Sequence, residues 1–292
     1  MTRPGFLVVT AVACLLGLST AASEGRPLDL VNAIATTLLA LIAHAALNVL
    51  NDYHDALNGA DDANDEGLFP FTGGARLIQN GEVSANATRQ LAWALLLLVV
   101  PAGLMLALRS GEGLVFVGLA GLSLGWAYSA PPLALMSRGL GEVTVALAWW
   151  LVVVGADYAQ QGRFSLLPAA VGVGQALLVA NILLINGFPD ARADASVHKR
   201  TLVVRAGTAR AARVYLAGAL LAHGGLAFFV ALGAAPPAAL AGLCSLPLSL
   251  AAAWLLVRRA ARPQELRPAI VLSILAAVVH GLAIGVALLA VA

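Results

Sequence analysis

Nine runs of about 20 apolar residues divide this chain, and no local feature limits a fold more than such runs. They fall near residues 5–22, 28–50, 88–108, 112–127, 140–160, 165–188, 212–233, 237–257 and 268–291. Backbone amides in lipid must be paired within the protein, which leaves only helices and closed barrels as spanning structures. The runs lack the in-out alternation of barrel strands, so the sequence predicts an all-α, polytopic membrane protein. Composition agrees: 60% of the 292 residues are hydrophobic and 11% are charged, against about 25% charged in soluble domains. Arg3, the first apolar run and the small residues Ser19-Thr-Ala-Ala-Ser23 also fit a cleaved leader. Reading the run as a span completes a set of nine. The two cysteines, Cys14 and Cys244, fall inside expected spans and read as small packing residues.

The basic residues set an orientation. With the N-terminus cytoplasmic, 14 of the 17 lie on the cytoplasmic side and three, Arg26, Arg109 and Arg163, on the other, a strong positive-inside bias. That places the protein in a cell (inner) membrane as a multi-pass protein. The net charge of +2 follows this topology and forms no basic stripe, which points away from nucleic acid. The sequence sets no oligomeric state. Residues 1–292 read as a single domain with two long polar loops, near 51–87 and 189–211, both cytoplasmic.

Carboxylates do not set topology, yet 11 of 15 lie on that same side. Their clustering needs a local cause. The second run ends in Asn48-Val-Leu-Asn51-Asp52-Tyr-His-Asp55, followed by Asp61, Asp62 and Asp65. If the helix continues, Asn48, Asp52 and Asp55 share one face. The sixth run ends in Asn186-Gly-Phe-Pro-Asp190-Ala-Arg-Ala-Asp194, where Asn186, Asp190 and Asp194 repeat the spacing, subject to distortion by Gly187 and Pro189. Oxygen-only side chains in this number suit Mg²⁺, which accepts one or two carboxylates and phosphate oxygens. Two acidic helix ends on one face can carry two Mg²⁺ ions and grip one diphosphate. Lys199, the only lysine, and Arg200 follow the second cluster, and such cations stabilise a departing diphosphate. An aspartate at a helix end is also a common cap, and Asp61, Asp62, Asp65 and Glu66 admit that reading.

These motifs resemble the UbiA-type intramembrane aromatic prenyltransferases over essentially the whole chain. The first motif reads NDYHDALNGAD and the second DARAD. The flanks are similar to the 1,4-dihydroxy-2-naphthoate branch: Thr72-Gly-Gly-Ala-Arg76, Tyr128-Ser-Ala-Pro-Pro132, Arg138-Gly-Leu-Gly-Glu142 and Lys199-Arg-Thr-Leu-Val-Val-Arg205. The chain departs from that branch at Asn186-Gly-Phe-Pro, where a polar pair is usual.

The resemblance implies a nine-helix bundle around a central lipid-accessible cavity. It implies a polyprenyl diphosphate donor, an aromatic acceptor and the bilayer as partners. Asp52, Asp55, Asp190 and Asp194 would hold Mg²⁺, with Asp61 as a further candidate. Together with Lys199 these four aspartates form the catalytic set. Asn48, Asn51, Arg76, Tyr128, Arg138, Asn186 and Arg200 would bind substrate, Tyr128 by its ring beside an allylic cation, although an interfacial Tyr is also a common anchor. His44, one turn before Asn48, points toward the site; it, His54, His223 and His280 are left outside it. Other readings are another aromatic acceptor such as 4-hydroxybenzoate, terpene cyclisation, or, from a different class, a secondary transporter of an anionic metabolite.

Overall fold

The computed structural model describes residues 1–25 and 27–292; Arg26, assigned above to the non-cytoplasmic side, lies outside the described residues. Among them the chain is helical throughout, without strands. The long helices are α1 (Pro4–Ser23), α2 (Leu30–Asn58), α3 (Ala85–Ser110), α4 (Gly113–Ser129), α5 (Gly141–Gln161) and α6 (Leu166–Ser196). A short α7 (Leu202–Ala206) leads into α8 (Thr208–Ala231), α9 (Leu246–Arg259) and α10 (Arg267–Leu289). Among the described residues, eight segments are long and apolar enough to cross a membrane. The expected fourth span forms as α4, a 17-residue helix near the lower limit for crossing. The expected eighth is composite: a 3₁₀ stretch, Pro237–Ser245, runs directly into α9.

Local sequence explains where the helices stop. Asp29 accepts from the Asn32 amide at the start of α2, and Ser84 from the Ala87 amide at the start of α3, both ordinary N-caps. Gly59, at φ 79°, ends α2 in a left-handed turn. The expected loops are shorter than 51–87 and 189–211, because α2 continues through Asn58 and α6 through Ser196. No breaker precedes Gly59, and Pro189 is absorbed within α6, as membrane helices permit. At 29 and 31 residues, α2 and α6 extend roughly 45 Å, well beyond a hydrocarbon core of about 30 Å. The surplus of each carries an acidic motif.

Contacts between loops sort into two faces. On one, Gln264 donates to the Glu66 carbonyl at 2.7 Å, Arg267 to the Phe69 carbonyl at 3.0 Å, and Arg192 pairs with Glu66 at 2.8 Å. On the other, Arg109 pairs with Asp29 and Arg163 with Glu24. This up-down alternation brings the ends of α2, α4 and α6 and the starts of α1 and α5 to a common face, here called the mouth. Inside the bundle α1 packs against α5, α6 and α10, burying Val9, Ala13 and Leu16. The half formed by α6 and α8–α10 is solid, built on Leu184, Ile185, Tyr215, Leu256 and Ile270. Cys14 is buried as expected; Cys244 is exposed on the outer surface of the 3₁₀ stretch, so packing accounts only for the first.

Candidate active site

The mouth holds a polar pocket of about 100 Å³. From α2 it receives Asn51 and Asp55, from the following loop Asp61, Asn64 and Gly73, and from α4 Tyr128. Asn186, Asp190 and Asp194 come from α6, and Lys199 from the segment beyond it. Lys199 is the hub. Its ammonium lies 2.9 Å from Asp55 Oδ1 and 3.4 Å from Asp194 Oδ1, tying the two motifs together. Burial alone would lower the affinity of Lys199 for its proton, but Asp55 and Asp194 more than offset this and raise it above the ordinary lysine value. Asn51 Nδ2 donates to Asp55 Oδ2 at 3.2 Å, and Asn58 Nδ2 to Asp55 Oδ1 at the same distance.

Two contributors were not visible in the sequence. Arg3, which the sequence placed in the topology count and in the leader reading, donates to Asp52 Oδ1 at 2.6 Å and lines the pocket. Asn64 Nδ2 donates to Asp190 Oδ1 at 2.7 Å, fixing the second motif to the loop that follows the first. An asparagine in the aspartate-rich run was the only available signal for Asn64; for Arg3 there was a basic residue at the start of a span.

The loop between the motifs is shaped by glycine. Gly74 has φ +71°, and a Cβ there would collide with the Asp61 carboxylate. Burial pushes the Asp61 carboxyl up to about 7, with Asp55 and Asp52 adding to the shift and Lys199 and Arg3 opposing it. Arg76 stands behind this loop, donating to the Asp61 and Asn64 carbonyls, and braces it without lining the pocket. Arg138 is exposed and donates to the Pro132 carbonyl at 2.7 Å; Arg200 is exposed and its amide donates to the Ser137 carbonyl. Neither lines the pocket, and Asn48 lines only the cavity described next.

No three acidic, histidine or cysteine side chains converge as a ready-made metal cage among the described residues. Two buried oxygen acceptors of the pocket, Asn64 Oδ1 and Asn186 Oδ1, nevertheless stand without hydrogen-bond partners. Asp52 lies beside the pocket rather than on its wall, its Oδ1 paired with Arg3 and its Oδ2 3.8 Å from the Met1 amine. Such acceptors are costly unless something positive meets them. An all-oxygen donor set with unmet lone pairs fits a hard cation such as Mg²⁺.

Below the polar pocket lies an apolar cavity of about 380 Å³, lined by α1 to α6. Arg3, Asn51, Tyr128, Leu183 and Asn186 border both spaces. They form a collar at which a charged head group passes into a hydrocarbon channel. The arrangement suits an amphiphile with an anionic head and a long apolar tail.

Comparison with known proteins agrees with this geometry. The family model described as the UbiA prenyltransferase family matches residues 8–275. A curated 1,4-dihydroxy-2-naphthoate octaprenyltransferase of Mycobacterium tuberculosis is 34% identical over 256 residues, covering 86% of this chain and 84% of the relative. The protein of the same name from Bacillus subtilis is 26% identical over 238 residues, 81% of this chain and 74% of its own. Among solved structures, a UbiA homolog from Archaeoglobus fulgidus bound to GPP and Mg²⁺ superposes with a TM-score of 0.63 at 19% identity, covering 97% of this chain and 99% of that one. At that identity the likeness speaks for the fold.

Proposed function

The chain belongs to the UbiA prenyltransferase family, and on that premise we propose that it transfers a polyprenyl group from an allylic polyprenyl diphosphate to an aromatic acceptor, foremost 1,4-dihydroxy-2-naphthoate in menaquinone assembly. Membership makes it an enzyme, and the transporter reading falls away. One observation carries the rest: the two acidic motifs meet in a polar pocket that opens directly onto an apolar cavity. The head of the donor fits the first and its tail the second. The names of the curated relatives support the acceptor.

Two Mg²⁺ ions fit this reading, held by Asp52 and Asp55 on α2 and by Asp190 and Asp194 on α6, with Asp61 available beside them. Bound there, Mg²⁺ supplies positive charge that offsets the departing diphosphate. Lys199 adds a fixed charge between the motifs, and Asn51, Asn58 and Asn64 hold the carboxylates in place. The allylic C–O bond breaks with its electron pair leaving on diphosphate. The ring then attacks the allylic carbon and afterwards loses a proton or its carboxyl group. Tyr128 and Leu183 in the collar keep water from the cation. The arginine-rich mouth is assigned to the cytoplasmic face of the cell membrane.

The test supplies purified protein in lipid with labelled geranylgeranyl diphosphate and either dihydroxynaphthoate or 4-hydroxybenzoate, with Mg²⁺ or chelator. A Mg²⁺-dependent prenylated naphthoate is expected, and its mass shows whether the carboxyl is retained. Diphosphate release without a prenylated aromatic would point to cyclisation instead.

A further inference from the structure

The apolar cavity contains a polar station that the donor does not use. On its wall, His44 Nδ1 and Thr10 Oγ1 lie 2.8 Å apart, bridging α2 and α1. The Trp149 ring of α5 stands against His44 edge-on, with centroids 4.9 Å apart and planes at 87°. Trp149 also lines the cavity, and its indole Nε1 is buried with no hydrogen-bond partner. The station is in register with the mouth. Arg3 meets Asp52 at the collar; Thr10, seven residues along α1, meets His44, eight residues back along the antiparallel α2. The step is about 10 Å into the bundle.

We infer that His44, Thr10 and Trp149 recognise the ring hydroxyl of the aromatic acceptor. The inference rests on the prenyl-transfer reading above and assigns the acceptor's place within it. A prenyl tail offers no hydrogen bonds, so a histidine, a threonine and an indole N–H around a hydrocarbon channel serve a different molecule. A buried indole N–H normally has an acceptor, and leaving it unmet costs as much as a lost hydrogen bond. Because a threonine hydroxyl both donates and accepts, the pair allows either His44 tautomer. The remaining ring atom, Nε2, can then accept from a phenolic hydroxyl or donate to it, while the Trp149 ring, edge-on to His44, fixes the plane of the imidazole. A hydroxyl held at this depth lets the ring extend up toward the collar, and transfer requires its reacting carbon to come within about 3–3.5 Å of the allylic carbon. The sequence pattern left His44 out because only its partners on α1 and α5 reveal the station.

A purely structural alternative is a polar tie between α1 and α2, which would affect stability and not substrate choice. Purified wild type, His44→Phe, His44→Gln and Thr10→Val in lipid, with geranylgeranyl diphosphate and Mg²⁺, separate the two. Acceptor and donor KM are measured with dihydroxynaphthoate and 4-hydroxybenzoate, and competition with the matching methyl ethers. The expected result is an acceptor KM raised about tenfold or more in His44→Phe, less in Thr10→Val, and partly restored in His44→Gln. Donor KM changes less than twofold, and His44→Phe loses the preference for free hydroxyl over methyl ether. Unchanged acceptor KM and unchanged hydroxyl preference in both His44→Phe and Thr10→Val, with wild type active, would overturn this inference alone. If wild type prenylates neither acid, the function reading falls and this inference with it.

Discussion

Lys199 shows how one side chain can hold a site together before any ligand arrives. Its ammonium bridges buried Asp55 and Asp194, and removing one partner of a buried ion pair costs about 3–5 kcal/mol. Lys199→Met is therefore expected to lower the melting temperature in chelator, and Mg²⁺ to restore more of that loss than it adds to wild type. Melting curves that do not respond to Mg²⁺ in the variant would contradict a cation site between the motifs. Asn64→Ala removes the 2.7 Å donor to Asp190 and should raise donor KM roughly tenfold, read by steady-state kinetics at saturating acceptor. At this scale the sequence was informative where chemistry is local. The Asn-x-x-x-Asp spacing at the ends of α2 and α6 marks a shared face through helix periodicity alone. Arg3 and Asn64 were illegible because their partners lie 49 and 126 residues away. Arg76 was misleading for a related reason: its charge suggests phosphate, whereas its guanidinium is spent on the backbone carbonyls of its own loop.

Helices, the next level up, are positioned by how closely their backbones can approach. Gly17 lets α1 press against α5: a Cβ there would strike the Val153 carbonyl and come within 2.8 Å of the Ala156 Cβ. Gly17→Leu should part these helices at a cost of about 1–3 kcal/mol or more, seen as a melting temperature lower by several degrees. Gly118→Ala on α4 is the control, since a Cβ there meets nothing within 4 Å, and its melting temperature should match wild type. Equal effects would argue against close α1–α5 packing as the organiser of the bundle. The existence of these helices was legible because lipid admits so few alternatives. Their ends were not. Hydropathy falls at Asn51 and again at Asp190, yet both helices continue, because Arg3, Asn64 and Lys199 from elsewhere in the chain partner the carboxylates that hydropathy reads as loop.

The whole molecule joins a solid half, α6 with α8–α10, to a hollow one enclosed by α1–α6. The helices follow from the apolar runs, and the arginines assign them an orientation; the division into halves is not legible, since it depends on which apolar faces meet. The assigned orientation predicts the labelling of single cysteines introduced in a background lacking Cys14 and Cys244. In intact cells an impermeant maleimide should reach Glu112→Cys, at the face opposite the mouth, and not Asn80→Cys, at the mouth, until the membrane is opened. The reverse pattern would invert the assignment. The central claim is that two motifs over 130 residues apart act as one donor site, and it is tested most directly by Asp52→Asn and Asp190→Asn, each assayed for Mg²⁺-dependent diphosphate release and prenylated product alongside its melting temperature. Loss of both activities by about a hundredfold or more in either variant (roughly 3 kcal/mol), with the fold intact, is the predicted result. Either variant retaining wild-type release and transfer would contradict it.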